Sequence, residues 1–255
     1  MRLEIPSSGS LFEGHFPGRP ILPAVALLDR TVRALAATGA PEGLRGVANL
    51  RLRRPVAPGD RLDLEAAAPG PDGRARFEVR RAAEAVADGV VLLGGPFSPI
   101  AAGSPTRGRR PADGSPDLDA LLPHRPPMRM VESIEAEAED GLECRARIAA
   151  GSAFDSSGTA PALVGLEMAA QTAALFESLR RRRAGGPAGA LLGYLVGARD
   201  VQFACTRMPV GESLRATVRL SAIALPLCHY AFEVARPGEV VASGTLSTWI
   251  TSTAA

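Results

Sequence analysis

Residues 12–23 read Phe-Glu-Gly-His-Phe-Pro-Gly-Arg-Pro-Ile-Leu-Pro. His15 stands in this loop among two glycines and three prolines, immediately ahead of a long apolar run. That run, ILPAVALLDRTVRALAAT from Ile21 to Thr38, reads as a helix. Pro23 suits its first turn, and Gly39 with Pro41 ends it. Its apolar residues lie nearly all round, so other structure should enclose it. Asp29 falls on this helix, fourteen residues after His15. A carboxylate on so apolar a helix costs on the order of a few kcal/mol unless it is partnered. Histidine and aspartate are also the residue types that acid–base chemistry requires.

Outward from this segment, the order of elements occurs twice. Pro161 to Arg183, PALVGLEMAAQTAALFESLRRRR, is a second helix of the same character, stopped by Gly185, Gly186 and Pro187. Strand-like runs with period-two alternation follow each helix. Pro58-Gly59-Asp60-Arg61-Leu62 parallels Val210-Gly211-Glu212-Ser213-Leu214, and Phe77-Glu78-Val79 parallels Phe232-Glu233-Val234. Two copies of helix followed by antiparallel strands imply an internal duplication. An antiparallel meander needs its apolar face covered, and the buried helix is the available cover. Between the copies, Ser98 to Pro116 is dense in Pro, Gly, Ser and Arg and reads as a linker. The expected organisation is a first domain at 1–98, a linker at 99–116 and a second domain at 117–255.

The formal charge of +2 is too small to imply a nucleic-acid partner, and every basic residue is arginine. No apolar signal core opens the chain, and no apolar run is long enough to span a membrane, so the expected location is the cytoplasm. Cys144, Cys205 and Cys228 are odd in number and contain no CxxC pair. They support neither a zinc site nor a disulfide framework, and are expected to be reduced and at least partly buried.

The GHFPGRPILP segment with its helical acid resembles the beta-hydroxyacyl-acyl-carrier-protein dehydratases of fatty acid and polyketide synthesis. The resemblance implies an α+β hot-dog fold, in which an antiparallel sheet wraps a long central helix. His15 and Asp29 match the family's His and acid positions; Ala24 stands where the family usually has glycine, which should leave the backbone N–H at the helix start available. The second half is similar in a different way. Leu121-Leu122-Pro123-His124-Arg125-Pro126-Pro127-Met128 looks like the family's LPHRPP segment, followed by a strand from near Met130. Glu167 lies six residues after Pro161, as Asp29 lies six after Pro23, and so occupies the acid position. Fourteen residues before Glu167 stands Ala153, where the motif histidine would be. One half thus has base and acid, and the other has the acid alone. That combination resembles the paired unlike hot-dog proteins of aryl-polyene-type pathways, here fused as a pseudo-dimer.

In homodimeric members of the family each site takes its histidine from one subunit and its acid from the other. The resemblance therefore implies that His15 faces Glu167, while Asp29 faces the Ala153 segment and is the less favoured acid. The implied chemistry is elimination of water from a 3-hydroxyacyl thioester. His15 removes the C2 proton, and Glu167, its pKa raised by burial, delivers a proton to the departing hydroxyl. Gly18 and the N–H groups near Ala162 and Leu163 are the expected substrate-binding positions. No metal or redox cofactor is implied; the substrate arrives on the phosphopantetheine arm of an acyl carrier protein. Arg51, Arg53 and Arg54, with Arg180 to Arg183, could dock that anionic partner. His124 is expected to order a turn or line an entrance, and His229 to be an ordinary strand residue. A thioesterase and a non-catalytic acyl-binding protein are the alternatives, because a fold does not fix its chemistry.

Overall fold

The computed structural model describes residues 1–103, 108–112, 116–185 and 191–254. In the first half, β1 (Arg2–Glu4) precedes the His15 loop, which leads into helix α1 (Ala24–Ala37). Strands β2 (Leu44–Leu52), β3 (Arg61–Ala66), β4 (Arg74–Arg81) and β5 (Glu84–Leu93) follow. The second half begins with β6 (Arg110–Pro111), the one-turn helix α2 (Leu118–Leu121), β7 (Val131–Glu137), β8 (Gly141–Ala146) and β9 (Thr159–Pro161). Helix α3 (Val164–Arg183) then leads to β10 (Leu191–Phe203), β11 (Arg207–Pro209), β12 (Leu214–Ala224), β13 (Leu227–Arg236) and β14 (Glu239–Ala254).

Twelve strands form one sheet in the order β1-β3-β4-β5-β2-β10-β14-β13-β12-β8-β7-β6, and β9 pairs with β11 apart from it. The order is symmetric about its middle. β2 and β10, each the first strand after its half's helix, meet antiparallel at the seam, flanked by β5 and β14. This is the double hot-dog arrangement that the duplication and the resemblance imply. Alternation sets the inner face: Leu62 and Leu64 of β3 are buried while Arg61, Asp63 and Glu65 face outward. Leu214, Ala216 and Val218 repeat the pattern on β12. At the seam Val47 pairs with Val201 and Leu50 with Ala198. Gly46 is needed there, because a Cβ on it would come within 2.4 Å of the Val201 carbonyl oxygen.

The two helices are less alike than their sequences suggest. Fourteen of the twenty residues of α3 are buried, against six of the fourteen of α1. Expecting both to be wholly enclosed is therefore incorrect for α1. Arg33 on its outer face is exposed, and Asp29 and Arg30 are half-buried. Pro23 is the N-cap of α1, as its fixed φ favours. Four arginines in the last turn of α3 complement its C-terminal dipole, and Gly185 follows with φ +73°.

The Pro/Gly/Arg-rich stretch runs along the second half wherever it is described. Ile100 bridges to Val240, the Gly103 N–H donates to Glu233 at 2.7 Å, and β6 adds to the sheet edge beside β7. Arg109 pairs with Glu143 at 2.8 Å. Residues 104–107 and 113–115 of that stretch lie outside the described residues. The three cysteines are free thiols, Cys144 and Cys228 buried and Cys205 partly so.

Candidate active site

The loop before α1 is braced by its own backbone. The His15 N–H donates to Phe12, and the Ile21 N–H donates to the His15 carbonyl at 2.8 Å. Phe16 and Arg19 exchange two backbone hydrogen bonds across the intervening turn. The second half clasps this loop at Gly14, whose carbonyl accepts the Arg125 N–H at 3.0 Å. Gly14 has φ +80°, and a Cβ there would lie 1.9 Å from the Arg125 carbonyl oxygen. Only glycine permits this approach, which brings the His15 loop against the segment carrying His124. The Arg125 guanidinium ties that segment down, donating to the carbonyls of Leu122, His124 and Asp119.

Three buried polar side chains converge there. His15, His124 and Glu167 are 9%, 6% and 3% exposed. Their imidazole and carboxylate ligand atoms lie within 4.8 Å of one another. His15 comes from the first half, His124 and Glu167 from the second. His15 Nδ1 lies 2.8 Å from the Ile21 carbonyl oxygen, which can only accept, so Nδ1 carries the hydrogen and Nε2 is left with a free lone pair. His124 Nε2 is 3.4 Å from Glu167 Oε1. Phe16 stacks on His15 at 4.1 Å and meets His124 edge-on at 4.8 Å. Two imidazoles and a carboxylate would also suit a divalent metal ion; the direct contact between His124 and Glu167 reads instead as a hydrogen-bonded pair.

Gln171, one helical turn after Glu167, fixes the carboxylate. Its Oε1 accepts from the Met130 N–H at 2.9 Å and the Val131 N–H at 3.4 Å. Its Nε2 donates to the Met128 carbonyl at 2.9 Å and to Glu167 Oε1 at 3.0 Å. The amide orientation is therefore determined by its partners.

Burial sets the charge state of His15. Removal from water pushes its pKa down to about 4, against the opposing pull of Glu167, so the imidazole is neutral at neutral pH. For Glu167, burial alone would raise the pKa; the His124 hydrogen bond, the nearby imidazoles and Gln171 outweigh it and bring the carboxyl to about 2. The expectation of a raised Glu167 pKa is thus incorrect. It allowed for desolvation and not for the hydrogen-bond partners that the fold supplies.

A cavity of about 750 Å³ opens from these groups. It follows one face of α3, past Glu167, Ala170, Ala174 and Glu177. Arg19, Arg51, Arg53 and Arg54 also line it. Arg51 and Arg53 pair with Asp88, and Arg54 with Glu84, yet all three side chains remain roughly half exposed.

The expected binding positions are not at this cavity. The Ala162 N–H is already donated to the Thr206 carbonyl at 2.9 Å, and neither Ala162 nor Leu163 lines the cavity. The helix start that does line it is that of α1, through Ala24. Gly18 lies exposed in its turn, with open space around it, and is also absent from the lining. Asp29 binds Arg33 at 2.7 Å on the outer side of α1, away from the cavity. Near Ala153, Asp155 braces its own turn by accepting from the N–H groups of Gly151 and Gly158. His229 Nδ1 lies 2.7 Å from Ser247 Oγ across the β13–β14 pair, as an ordinary strand residue would. Sequence reasoning passed over Gln171 entirely. Its signal was a neutral polar residue four after the acid on the same helix.

Residues 116–254, more than half of the chain, match the family model of the ApeP-like (ApeP dehydratase) proteins. The chain belongs to the ApeP-like dehydratase family. Residues 1–90 match a second model, that of the ApeI-like (ApeI dehydratase) proteins, so the chain fuses two unlike hot-dog halves. Among curated relatives, the 3-hydroxyacyl-acyl-carrier-protein dehydratase FabZ of Thermus thermophilus is 44% identical over 63 residues, which are 21% of this chain and 44% of that one. FabZ of Herpetosiphon aurantiacus is 38% identical over 96 residues, 33% of this chain and 63% of its own. The chain thus spans about half the length of the curated relatives it matches. The dehydratase domain of PpsC from Mycobacterium tuberculosis, solved with C12:1-CoA, superposes over 98% of this chain and 92% of its own, with a TM-score of 0.71 at 18% identity. The bifunctional dehydratase-cyclase domain of ambruticin biosynthesis covers 98% of this chain and 89% of its own, with a TM-score of 0.62 at 20% identity. At such identities these likenesses speak to the fold.

Proposed function

We propose that this ApeP-like protein is a hydro-lyase, a 3-hydroxyacyl-acyl-carrier-protein dehydratase that converts a 3-hydroxyacyl thioester to the trans-2-enoyl thioester. The observation that carries this reading is the pairing of a neutral imidazole from one half with a carboxylate from the other, inside one cavity. His15 Nε2, its lone pair freed by the Nδ1 bond to Ile21, removes the C2 proton. The C2–H electron pair becomes the C2=C3 bond, and the C3 hydroxyl departs as water, taking its proton from a water bound at the Glu167 carboxylate, which the proton that His15 removed from C2 then replenishes. The N–H of Ala24, at the positive end of α1, polarises the thioester carbonyl.

The ten residues from Glu167 to Glu177 span about 15 Å of helix, room for an acyl chain. The substrate arrives on the phosphopantetheine of an acyl carrier protein, in fatty acid, polyketide or aryl polyene synthesis. Arg19, Arg51, Arg53 and Arg54 offer that anionic partner a basic rim at the cavity. The chemistry asks for no metal or redox cofactor. The working unit is the pseudo-dimer of residues 1–98 and 117–255, joined by 99–116 and acting in the cytoplasm; no helix among the described residues is long and apolar enough to cross a membrane.

Incubation with a 3-hydroxyacyl thioester tests the reading, because a dehydratase yields enoyl thioester, a thioesterase yields free acid and a binding protein yields neither. His15→Ala should lower the dehydration rate by about 10²–10⁴-fold. Near-normal dehydration by that variant would overturn the assignment of His15 as base.

A further inference from the structure

Of the four arginines that line the cavity, one differs from the rest. Arg51 and Arg53 share Asp88, and Arg54 shares Glu84 with Arg81. Arg19 is exposed, and among the described residues no carboxylate pairs with its guanidinium. We propose that Arg19 binds the phosphate of the phosphopantetheine arm, and so decides how well the enzyme takes a phosphorylated carrier over an unphosphorylated one. The proposal rests on the dehydratase reading given above.

The charges around the cavity carry it. Glu167 and Glu177, the two carboxylates on its wall, are committed elsewhere, Glu167 to His124 and Gln171, and Glu177 to Tyr230 and Arg180. Asp88 alone answers both Arg51 and Arg53, so the rim keeps a surplus of positive charge with Arg19 at its head. An acyl thioester is neutral and has no use for that charge. The pantetheine portion of the arm is neutral as well, and the phosphate is the arm's one anion. A guanidinium with all its N–H groups free suits it, because the planar fork donates to two phosphate oxygens at once.

The backbone under Arg19 is fixed. Phe16 and Arg19 exchange backbone hydrogen bonds at 3.2 and 3.0 Å, and Gly18 between them takes φ +74°. Just beyond the turn, the Ile21 N–H donates to the His15 carbonyl. The same braced loop thus carries the proposed base inward and the free cation outward. A phosphate held at Arg19 is tied to the group that takes the C2 proton, with little loop left to order on binding.

The decisive measurement is kcat/KM for two matched 3-hydroxyacyl thioesters, one on pantetheine and one on 4′-phosphopantetheine, in wild type and Arg19→Gln. Wild type should prefer the phosphorylated arm by about 10-fold, chiefly through KM, and Arg19→Gln should lose most of that preference. Arg19→Lys, which keeps the charge and loses the fork, should recover part of it. Added salt reads the same contact without a substitution, since it should shrink the wild-type preference. No preference in wild type, a preference that Arg19→Gln retains, or one indifferent to salt would overturn the proposal and leave the dehydratase reading standing. So would an Arg19→Gln defect seen only with an intact acyl carrier protein, because the contact would then be to the protein's own carboxylates. Absence of enoyl product from both thioesters would instead overturn the dehydratase reading. Calorimetry with free phosphopantetheine and free pantetheine then decides the phosphate site by itself: wild type should bind the phosphorylated arm more tightly, and equal binding would count against Arg19.

Discussion

His15, the proposed base, is set by one hydrogen bond and one close approach. The bond to Ile21 selects the tautomer, and the Gly14–Arg125 clasp sets the position. Gly14→Ala should therefore cost more than a loop substitution usually does. The added methyl meets a backbone oxygen at 1.9 Å, and the residue must hold a left-handed φ. A loss of about 1–3 kcal/mol in denaturant unfolding is expected, with a fall in dehydration from displacement of His15. An active, fully stable Gly14→Ala protein would contradict the clasp. Burial of His15 also has a pH signature. Its pKa is about 4 when folded and ordinarily 6.5, so within that window the unfolded chain binds the extra proton. Stability should fall as pH drops from 6.5 to 4, by at most about 1.4 kcal/mol per pH unit. Glu167, brought to about 2 from 4.5, keeps its contribution above 4.5 and loses it as pH falls from there towards 2. Urea melts should show a shallower decline between pH 6.5 and 4 for His15→Gln than for wild type; parallel curves would argue that His15 does not titrate on unfolding.

Among the elements, the seam between β2 and β10 decides the molecule's integrity, because it joins the two meanders into one sheet and removes two exposed edges. Gly46→Val would drive a branched side chain against the Val201 carbonyl, 2.4 Å from the position of a Cβ. It should cost about 1–3 kcal/mol, read as a lower denaturant midpoint; a midpoint equal to wild type would mean that the seam can shift. Both long helices are legible in the apolar runs, and their observed starts fall a few residues inside those runs because Pro23 and Leu163 serve as caps. The short strands β1, β9 and β11 are not legible, since three residues carry no periodicity. Burial is not read from apolar content either: ten of the fourteen residues of α1 are apolar against ten of the twenty of α3, yet α3 is the more buried, because how much sheet wraps each is a property of the assembled halves.

At the scale of the whole molecule, the site exists only because the halves are combined. Neither half alone brings His15 and the Glu167 carboxylate together. The matched pair Glu167→Gln and Asp29→Asn tests this directly. Glu167→Gln should lose most of the dehydration rate while still binding an acyl thioester. Asp29→Asn should change it little, because its carboxylate is engaged in a partly exposed ion pair one helical turn from Arg33, of a kind worth about 0.3–0.5 kcal/mol. Comparable large losses in both would mean that Asp29 acts on the site from outside the cavity. The duplication, the antiparallel meanders and the two long helices followed from the sequence, because periodicity, punctuating Gly and Pro, and spacing are local properties of a chain; His15 and Glu167 as a candidate pair followed from the family resemblance. His124 beside Glu167, the charge state of that acid, the role of Gln171 and the choice of α1 over α3 for the helix start at the cavity were decided only by tertiary structure. Each depends on which groups from distant segments meet in a space without water, and there a hydrogen-bond partner a few ångströms away outweighs the desolvation that a residue's own neighbours foretell.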